Sequence, residues 1–150
     1  DLWRQEKSAL ISDGEKLLLA IQQEDAEAAN QTTAPARLDL SAYLSHFQYA
    51  YDEIYGGFGQ APKFPQTMNL RVLMRLDAQL KLNQAETLVV QTLRQMSRGG
   101  MYDHLVGGFH RYSVDREWLV PHFEKMLYDQ AMIVMTLLEA QALYQADDLI

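Results

Sequence analysis

The chain has 150 residues, 48% of them hydrophobic, which is the size range of one domain able to bury a core. Twenty acidic against 13 basic residues give a net charge of −7 that repels phosphate backbones, and the absence of cysteine excludes disulfides, thiolate metal sites, a CxxC pair and a cysteine nucleophile. The opening Asp1-Leu2-Trp3-Arg4 lacks the cationic start and apolar core of a secretory signal, and the apolar run over residues 132–138 is far shorter than the ~20 residues of a membrane span, so neither nucleic acid nor membrane is an expected partner and the cytoplasm is the expected compartment.

Trp3, Leu10 and Leu17 recur at intervals of seven with Ile11, Leu18 and Ile21 beside them, which predicts one amphipathic helix over residues 2–22. Gly14 is its weak point, since a mid-helix glycine costs about 1 kcal/mol relative to alanine, and Ser12 with Glu15 offers a capping box that would restart the helix there. Residues 23–36 lose the periodicity and end at Pro35, the pattern of a solvated loop rather than a domain boundary. A second helix is expected after Asp39 as N-cap, with Leu40, Tyr43, Leu44, Phe47, Tyr51 and Ile54 on one stripe up to Gly56-Gly57. Glycines and prolines alternate through residues 56–65 and forbid a helix there. Thr67 is the expected cap of a third helix with Leu70, Leu73, Met74 and Leu80 inward, and a fourth runs from about Gln84 through Leu88, Val89, Leu93 and Met96 to Gly99-Gly100. A non-helical stretch follows, in which residues 109–113 and 118–120 are expected to pair as a short β-hairpin around 114–117. Pro121 suits a first helical turn, so the last helix is expected over residues 122–146, with Asp147-Asp148 opening a further turn.

An internal echo organises these elements. Gly56-Gly57-Phe58, followed by Pro62-Lys63-Phe64 and a helix, returns 51 residues later as Gly107-Gly108-Phe109, followed by Pro121-His122-Phe123 and a helix. A period near fifty with helices between loops of one type is the mark of stacked helical hairpins. The predicted fold is therefore all-α, and the chain is expected to be the N-terminal portion of one helical-hairpin toroid domain, with an exposed apolar edge able to drive self-association.

The densest reactive cluster lies within residues 99–131, where carboxylates, imidazoles, a guanidinium and aromatic rings surround glycines that let backbone approach a ligand. Aromatic faces and planar polar groups of this kind bind polyols; composition alone favours the other reading, in which the rings pack the loop while Asp and Arg pair locally. The candidates for acid–base work are Asp103, His104, Asp115 and His122, and those for substrate contact are Phe58, Lys63, Phe109, His110, Arg111, Tyr112, Trp118, Lys125 and Asp129. Spacing on the expected last helix puts His122, Lys125, Met126 and Asp129 on one face, where Lys125 and Asp129 can form an ordinary i,i+4 ion pair and Glu124 complements the helix dipole. His104, His110 and His122 are separated by six and twelve residues, which matches no zinc pattern, so no metal or other cofactor is expected. Ser113, His122 and Asp115 could be assembled into a triad but lack a nucleophile elbow, and Asp103 with Asp115 could form a glycosidase-type carboxylate pair. The loop at 56–65, with Phe58 and Lys63, is expected to share one rim with the loop after Gly99.

Three motifs, residues 56–65 (GGFGQAPKFP), 107–115 (GGFHRYSVD) and 118–131 (WLVPHFEKMLYDQA), closely resemble the bacterial YyaL-type and spermatogenesis-associated thioredoxin-domain proteins. The resemblance covers residues 40–146, with Trp3 and the first helix fitting the segment after that family's thioredoxin-like domain. It implies a helical region similar to the six-hairpin (α/α)6 toroids of N-acylglucosamine 2-epimerases, and hence a saccharide ligand, with epimerase, isomerase or glycosidase-like activity. Proton removal beside a sugar carbonyl would then make His104, His110 and His122 candidates by type. The alternative implication is a non-catalytic scaffold that positions or regulates an attached thioredoxin-like domain. This chain departs from the pattern in carrying neither that domain nor the later hairpins, so on its own it is expected to be inactive.

Overall fold

The computed structural model describes residues 3, 6–30, 40–81 and 84–149. They fall into two units, residues 1–38 and residues 39–150, taken here one at a time.

The first unit carries α1, Lys7–Asn30. Leu10, Ile11, Leu17, Leu18 and Ile21 form the expected apolar stripe and are exposed. The helix runs unbroken through Gly14 and on through residues 23–30, where a loop is expected from the sequence. Gln22, Gln23, Glu24, Ala26, Glu27, Ala28 and Ala29 lack apolar periodicity but are strong helix formers, so propensity carries the helix where burial gives no signal. The start at Leu2, the rest of the connection to Ala36 and the Asp39 cap lie outside the described residues.

The second unit holds α2 (Leu40–Ala50), α3 (Thr67–Leu80), α4 (Ala85–Arg98), α5 (Leu127–Tyr144) and a 3-10 turn over Asp147–Leu149. All-α is the fold class: among the described residues the β contacts are isolated bridges. Helix α3 is the centre of the packing, touching α2, α4 and α5. Its Leu70, Leu73 and Met74 meet Val89, Leu93 and Met96 of α4 and Ile133 and Ala140 of α5 in one buried cluster. In α4 the buried positions Ala85, Leu88, Val89, Thr92, Leu93 and Met96 follow the three-and-four spacing of an amphipathic helix.

Boundaries depart from the sequence expectation where the chain finds backbone partners outside a helix. Helix α2 stops at Ala50, because Tyr51 pairs with Phe58 in an antiparallel bridge, and Ile54 is left exposed. Thr67 is the first residue of α3 rather than its cap; Gln66, in the left-handed region at φ 46°, precedes it without a side-chain capping bond. Helix α5 begins at Leu127, not at His122. The amide of His122 donates to Tyr112 O and that of Arg111 to Glu124 O, both at 2.8 Å, which holds residues 122–124 to the preceding loop. Pro121 accordingly bridges Ser113 instead of opening a helix, and His122, Lys125 and Met126 share no helical face with Asp129. The expected hairpin is reduced to that bridge and a bond from Val114 N to Val120 O, while Phe109 pairs with Tyr102.

Trp118 ties this unit together. It is fully buried at φ 64°, and its indole Nε1 donates to Tyr55 O at 3.0 Å. A Cβ on Gly57 would lie 2.5 Å from the indole ring, so glycine is required beneath it. The backbone on either side of Trp118 runs close over the end of α4, where a Cβ at Gly99 or Gly100 would come within 2.5 or 2.0 Å of the carbonyl oxygens of Trp118 or Leu119. Trp118→Ala is expected to cost about 3–5 kcal/mol, the usual range for emptying a buried aromatic site. Urea denaturation measures it, and a loss below about 1 kcal/mol would remove the ring from this structural role.

Candidate functional site

The echo seen in the sequence is a repeated loop. Residues 51–58 and 102–109 share the pattern Tyr-Asp-x-x-x-Gly-Gly-Phe at a constant offset of 51. Asp52 N donates to Gly57 O at 2.9 Å, as Asp103 N does to Gly108 O. Gly56 N reaches Asp52 O and Gly107 N reaches Asp103 O, each at 2.8 Å, while Gly59 N to Ala50 O recurs as His110 N to Met101 O. Each aspartate also bends one carboxylate oxygen back onto the turn: Asp52 Oδ1 accepts from Ile54 and Tyr55 N, and Asp103 Oδ1 from Leu105 and Val106 N. The Gly-Gly pairs stand at φ 69° and 78° in the first loop and 88° and 87° in the second, a region that side chains avoid.

A lysine closes each loop. Lys63 Nζ donates to Asp52 Oδ2 at 2.6 Å and to Gly56 O at 2.7 Å; Lys125 Nζ donates to Asp103 Oδ2 at 2.6 Å and to Gly107 O at 2.8 Å. Lys125, not His122, is therefore the counterpart of Lys63. The sequence echo misaligns here because Lys63 follows its aspartate by 11 residues and Lys125 by 22.

The longer span of the second loop lies across the first. Lys63 and Ser113 exchange backbone bonds at 2.8 Å in both directions, and Arg116 sets Nε and Nη2 on the two oxygens of Asp52 at 2.6 and 2.9 Å. The two loops thus form one rim. The Asp52 and Lys63 side chains are 0% exposed, whereas Asp103 and Lys125 are 21% and 32% exposed.

Electrostatics follow from that difference. Burial pushes the Asp52 carboxyl up, but the bonds from Arg116, Lys63 and the amides of Tyr55 and Ile54 outweigh it and hold the group well below the usual carboxylate range. Burial pulls the Lys63 ammonium down against the stabilising pull of Asp52. Asp103 is held well below its ordinary value by Lys125 first, then by the amides of Val106 and Leu105.

The remaining sequence candidates divide into framework and surface. Phe58, Phe109, Lys63 and Trp118 are buried. Asp103 belongs to the second clamp, so Lys125 pairs with it and not with Asp129. Asp115 shapes a turn, its oxygens accepting from the amides of Glu117, Leu119 and Val120, which together overcome burial and lower its pKa. Ser113 is buried with its hydroxyl donating to Val120 O, and His122 stacks elsewhere, so the arrangement does not form a triad. His104 is exposed, with Nε2 3.0 Å from Gly99 O. Among the described residues no group of three histidine, aspartate or glutamate side chains could hold a metal ion, and no helix is long and apolar enough to cross a membrane.

What lies open is an aromatic stack. Phe64, Tyr112 and His122 lie nearly parallel in sequence, with centroids 4.7 Å apart at each step and interplanar angles of 29° and 20°. Phe64 is 46% exposed. Beside His122, Arg111 bonds Glu124 at 3.1 Å, and the highly exposed Phe123 stands edge-on to His110. His110 Nδ1 and Asp129 Oδ2 are buried without a hydrogen-bond partner. Burial lowers the His110 pKa and raises that of Asp129. Sequence reasoning passed over Asp52, Phe64 and Arg116. The Tyr-Asp pair ahead of both Gly-Gly-Phe triplets would have revealed Asp52; no periodic signal marks Phe64 or Arg116.

No family model matches the chain. It is similar to spermatogenesis-associated protein 20 of Mus musculus, 38% identical over 146 residues that cover 93% of this chain and 18% of the relative. The protein of the same name from Homo sapiens is 38% identical over 144 residues, covering 92% and 18%. An uncharacterized protein of Caenorhabditis elegans, B0495.5, is 38% identical over 138 residues, covering 89% and 18%. The chain thus spans less than a fifth of the length of the curated relatives it matches.

The two clamps differ in burial but hardly in geometry, which makes them a matched pair. Lys63→Met strips a buried carboxylate of one of its two cations and is expected to cost about 3–5 kcal/mol, against about 1 kcal/mol or less for Lys125→Met. Urea midpoints of the two variants compare them, and equal losses would show that burial does not set the strength of the clamp. The depressed Asp52 pKa makes stability acid-dependent. In the unfolded chain the group titrates at about 4, so its contribution is complete above that pH and is lost as pH falls towards the folded value. Thermal melting between pH 6 and pH 2 should show this loss, with a shallower slope in Asp52→Asn; parallel slopes would assign the acid sensitivity elsewhere.

Proposed function

We propose that this chain, which belongs to the spermatogenesis-associated protein 20 family, contributes one wall of a saccharide-binding site in a helical-hairpin toroid. The observation that carries this reading is the open Phe64–Tyr112–His122 stack on the rim where the two loops meet. Sugar rings pack their C–H faces on aromatic planes and hand their hydroxyls to planar polar groups. Arg111 and Glu124 supply such groups beside the stack. Phe58, Lys63, Phe109 and Trp118 hold the wall in place from beneath, Tyr112 joins the two ends of the stack, and Phe64, His122 and the half-exposed Arg111 are the residues a ligand reaches.

The reaction class that fits is epimerisation or isomerisation beside a sugar carbonyl, with His122 as the proton-handling group at the edge of the stack. A second reading, a scaffold that positions an attached thioredoxin-like domain, draws on one observation: Asp103 and Asp115 are both spent on backbone amides and so do not act as a carboxylate pair.

Calorimetry on the full-length protein with a panel of mono- and disaccharides separates the two. Saccharide binding that weakens at least tenfold in Tyr112→Ala is expected. No binding across the panel, or binding indifferent to Tyr112→Ala and His122→Ala, would overturn the saccharide reading. A change of interdomain association in the same variants would favour the scaffold.

A further inference from the structure

Asp52, Asp103 and Asp115 each accept from at least two backbone amides, and Glu124 accepts from Arg111. Asp129 differs from all of them. It stands in the first turn of α5, half-buried, with Oδ2 sealed from solvent and without a hydrogen-bond donor among the described residues. Gln130, next along, bonds both N and O of Phe109 and so sets this turn against the second loop. Two cations could have served Asp129, and both are committed elsewhere. Lys125, four residues earlier, is drawn to Asp103 at 2.6 Å, and Arg111, which faces Asp129, bonds Glu124 at 3.1 Å. A buried acceptor left unsatisfied carries its full desolvation penalty, and a loop that satisfies the neighbouring acids gains no stability from the exception. Burial raises the Asp129 pKa, Arg111 pulls it back and Glu124 adds to the rise. The group therefore keeps its proton to higher pH than Asp52, Asp103 or Asp115, whose pKa values are all lowered.

We infer that Asp129 is the general acid of the rim, working opposite His122 on one ligand, an inference that rests on the saccharide reading of the Phe64–Tyr112–His122 stack. Glu124 links the two groups: its Oε2 lies 3.7 Å from His122 Nδ1 and holds the Arg111 that faces Asp129. With Oδ2 sealed, Oδ1 is the oxygen that a ligand meets. His122 takes the hydrogen beside the sugar carbonyl as a proton, and the C–H electron pair becomes the C=C bond of an enediol. The carbonyl π pair takes up the Asp129 proton at oxygen, leaving a carboxylate and an imidazolium. Return of one proton to carbon and of the hydroxyl proton to Asp129 restores both groups and releases the isomeric sugar.

Deuterium uptake tests the assignment. The full-length protein is incubated in D2O with glucose, mannose or fructose, proton NMR reads exchange at the carbons beside the carbonyl, and calorimetry reads binding. Asp129→Asn is expected to bind within about threefold of wild type and to exchange at least about a hundredfold more slowly, with partial recovery in Asp129→Glu, which restores a carboxyl. Its urea midpoint is expected at or above that of wild type, since an unsatisfied acid is removed. Unchanged exchange with a lowered midpoint would make Asp129 a helix-capping acid and overturn the inference. Unchanged exchange at any midpoint, or binding without exchange in the wild-type protein, would overturn it while the saccharide reading stands. Absence of binding by the wild-type protein to all three sugars would overturn that reading and this inference with it.

Discussion

A carboxylate with no access to water is the constraint around which the second unit is arranged. Removing Asp52 from solvent carries a desolvation cost of several kcal/mol, and only a full set of donors offsets it. Two amides of its own turn, Lys63 from eleven residues on and Arg116 from 64 residues on supply that set. Each donor has its own structural requirement. The amides need the Gly-Gly turn, Lys63 needs the bridge to Ser113, and Arg116 needs the longer second loop, which in turn is pinned by Trp118. Burial of one charge thus ties together a helix end, two loops and the start of the next helix.

That dependence explains the division of labour among polar residues. Chemistry-bearing side chains in a loop invite a catalytic interpretation, yet Asp52, Asp103 and Asp115 each direct oxygen lone pairs onto backbone N–H groups. They are the loop's internal hydrogen-bond acceptors, standing in for strands that the segment is too irregular to form. The rings and ions left over, Phe64, Tyr112, His122, Arg111 and Glu124, are arranged on a surface that this rigid interior holds still. A recognition surface gains from such support because little side-chain freedom remains to be lost on binding.

Much of this was legible in the residues. The apolar spacing of α3 and α4 located both helices to within a residue or two, and the two Gly-Gly-Phe triplets correctly marked equivalent loops. What escaped was non-local. Periodicity is blind to the pairings of Arg111 with Glu124 and of His122 with Tyr112, so residues 122–126 read as helix although the His122 amide and the Glu124 carbonyl are taken by the preceding loop. The reverse error occurred in α1, where residues 23–30 have no buried face but every propensity to stay helical. Lys125 illustrates the limit best: four residues from Asp129 it looks like an intrahelical partner, and only three-dimensional placement gives it to Asp103. The chemistry of the rim was named by residue type, but which members face solvent depended on burial that no local pattern records.

The unequal length of the two loops bears on how the protein is made. The Arg116 segment that shields Asp52 leaves the ribosome 64 residues after it, so the first clamp waits, solvated, for the second loop. Closure of a long loop is entropically cheap once the successor exists and impossible before, which gives assembly a direction from N- to C-terminus. Synthesis interrupted before Arg116 would therefore leave the Asp52–Lys63 clamp without its cover.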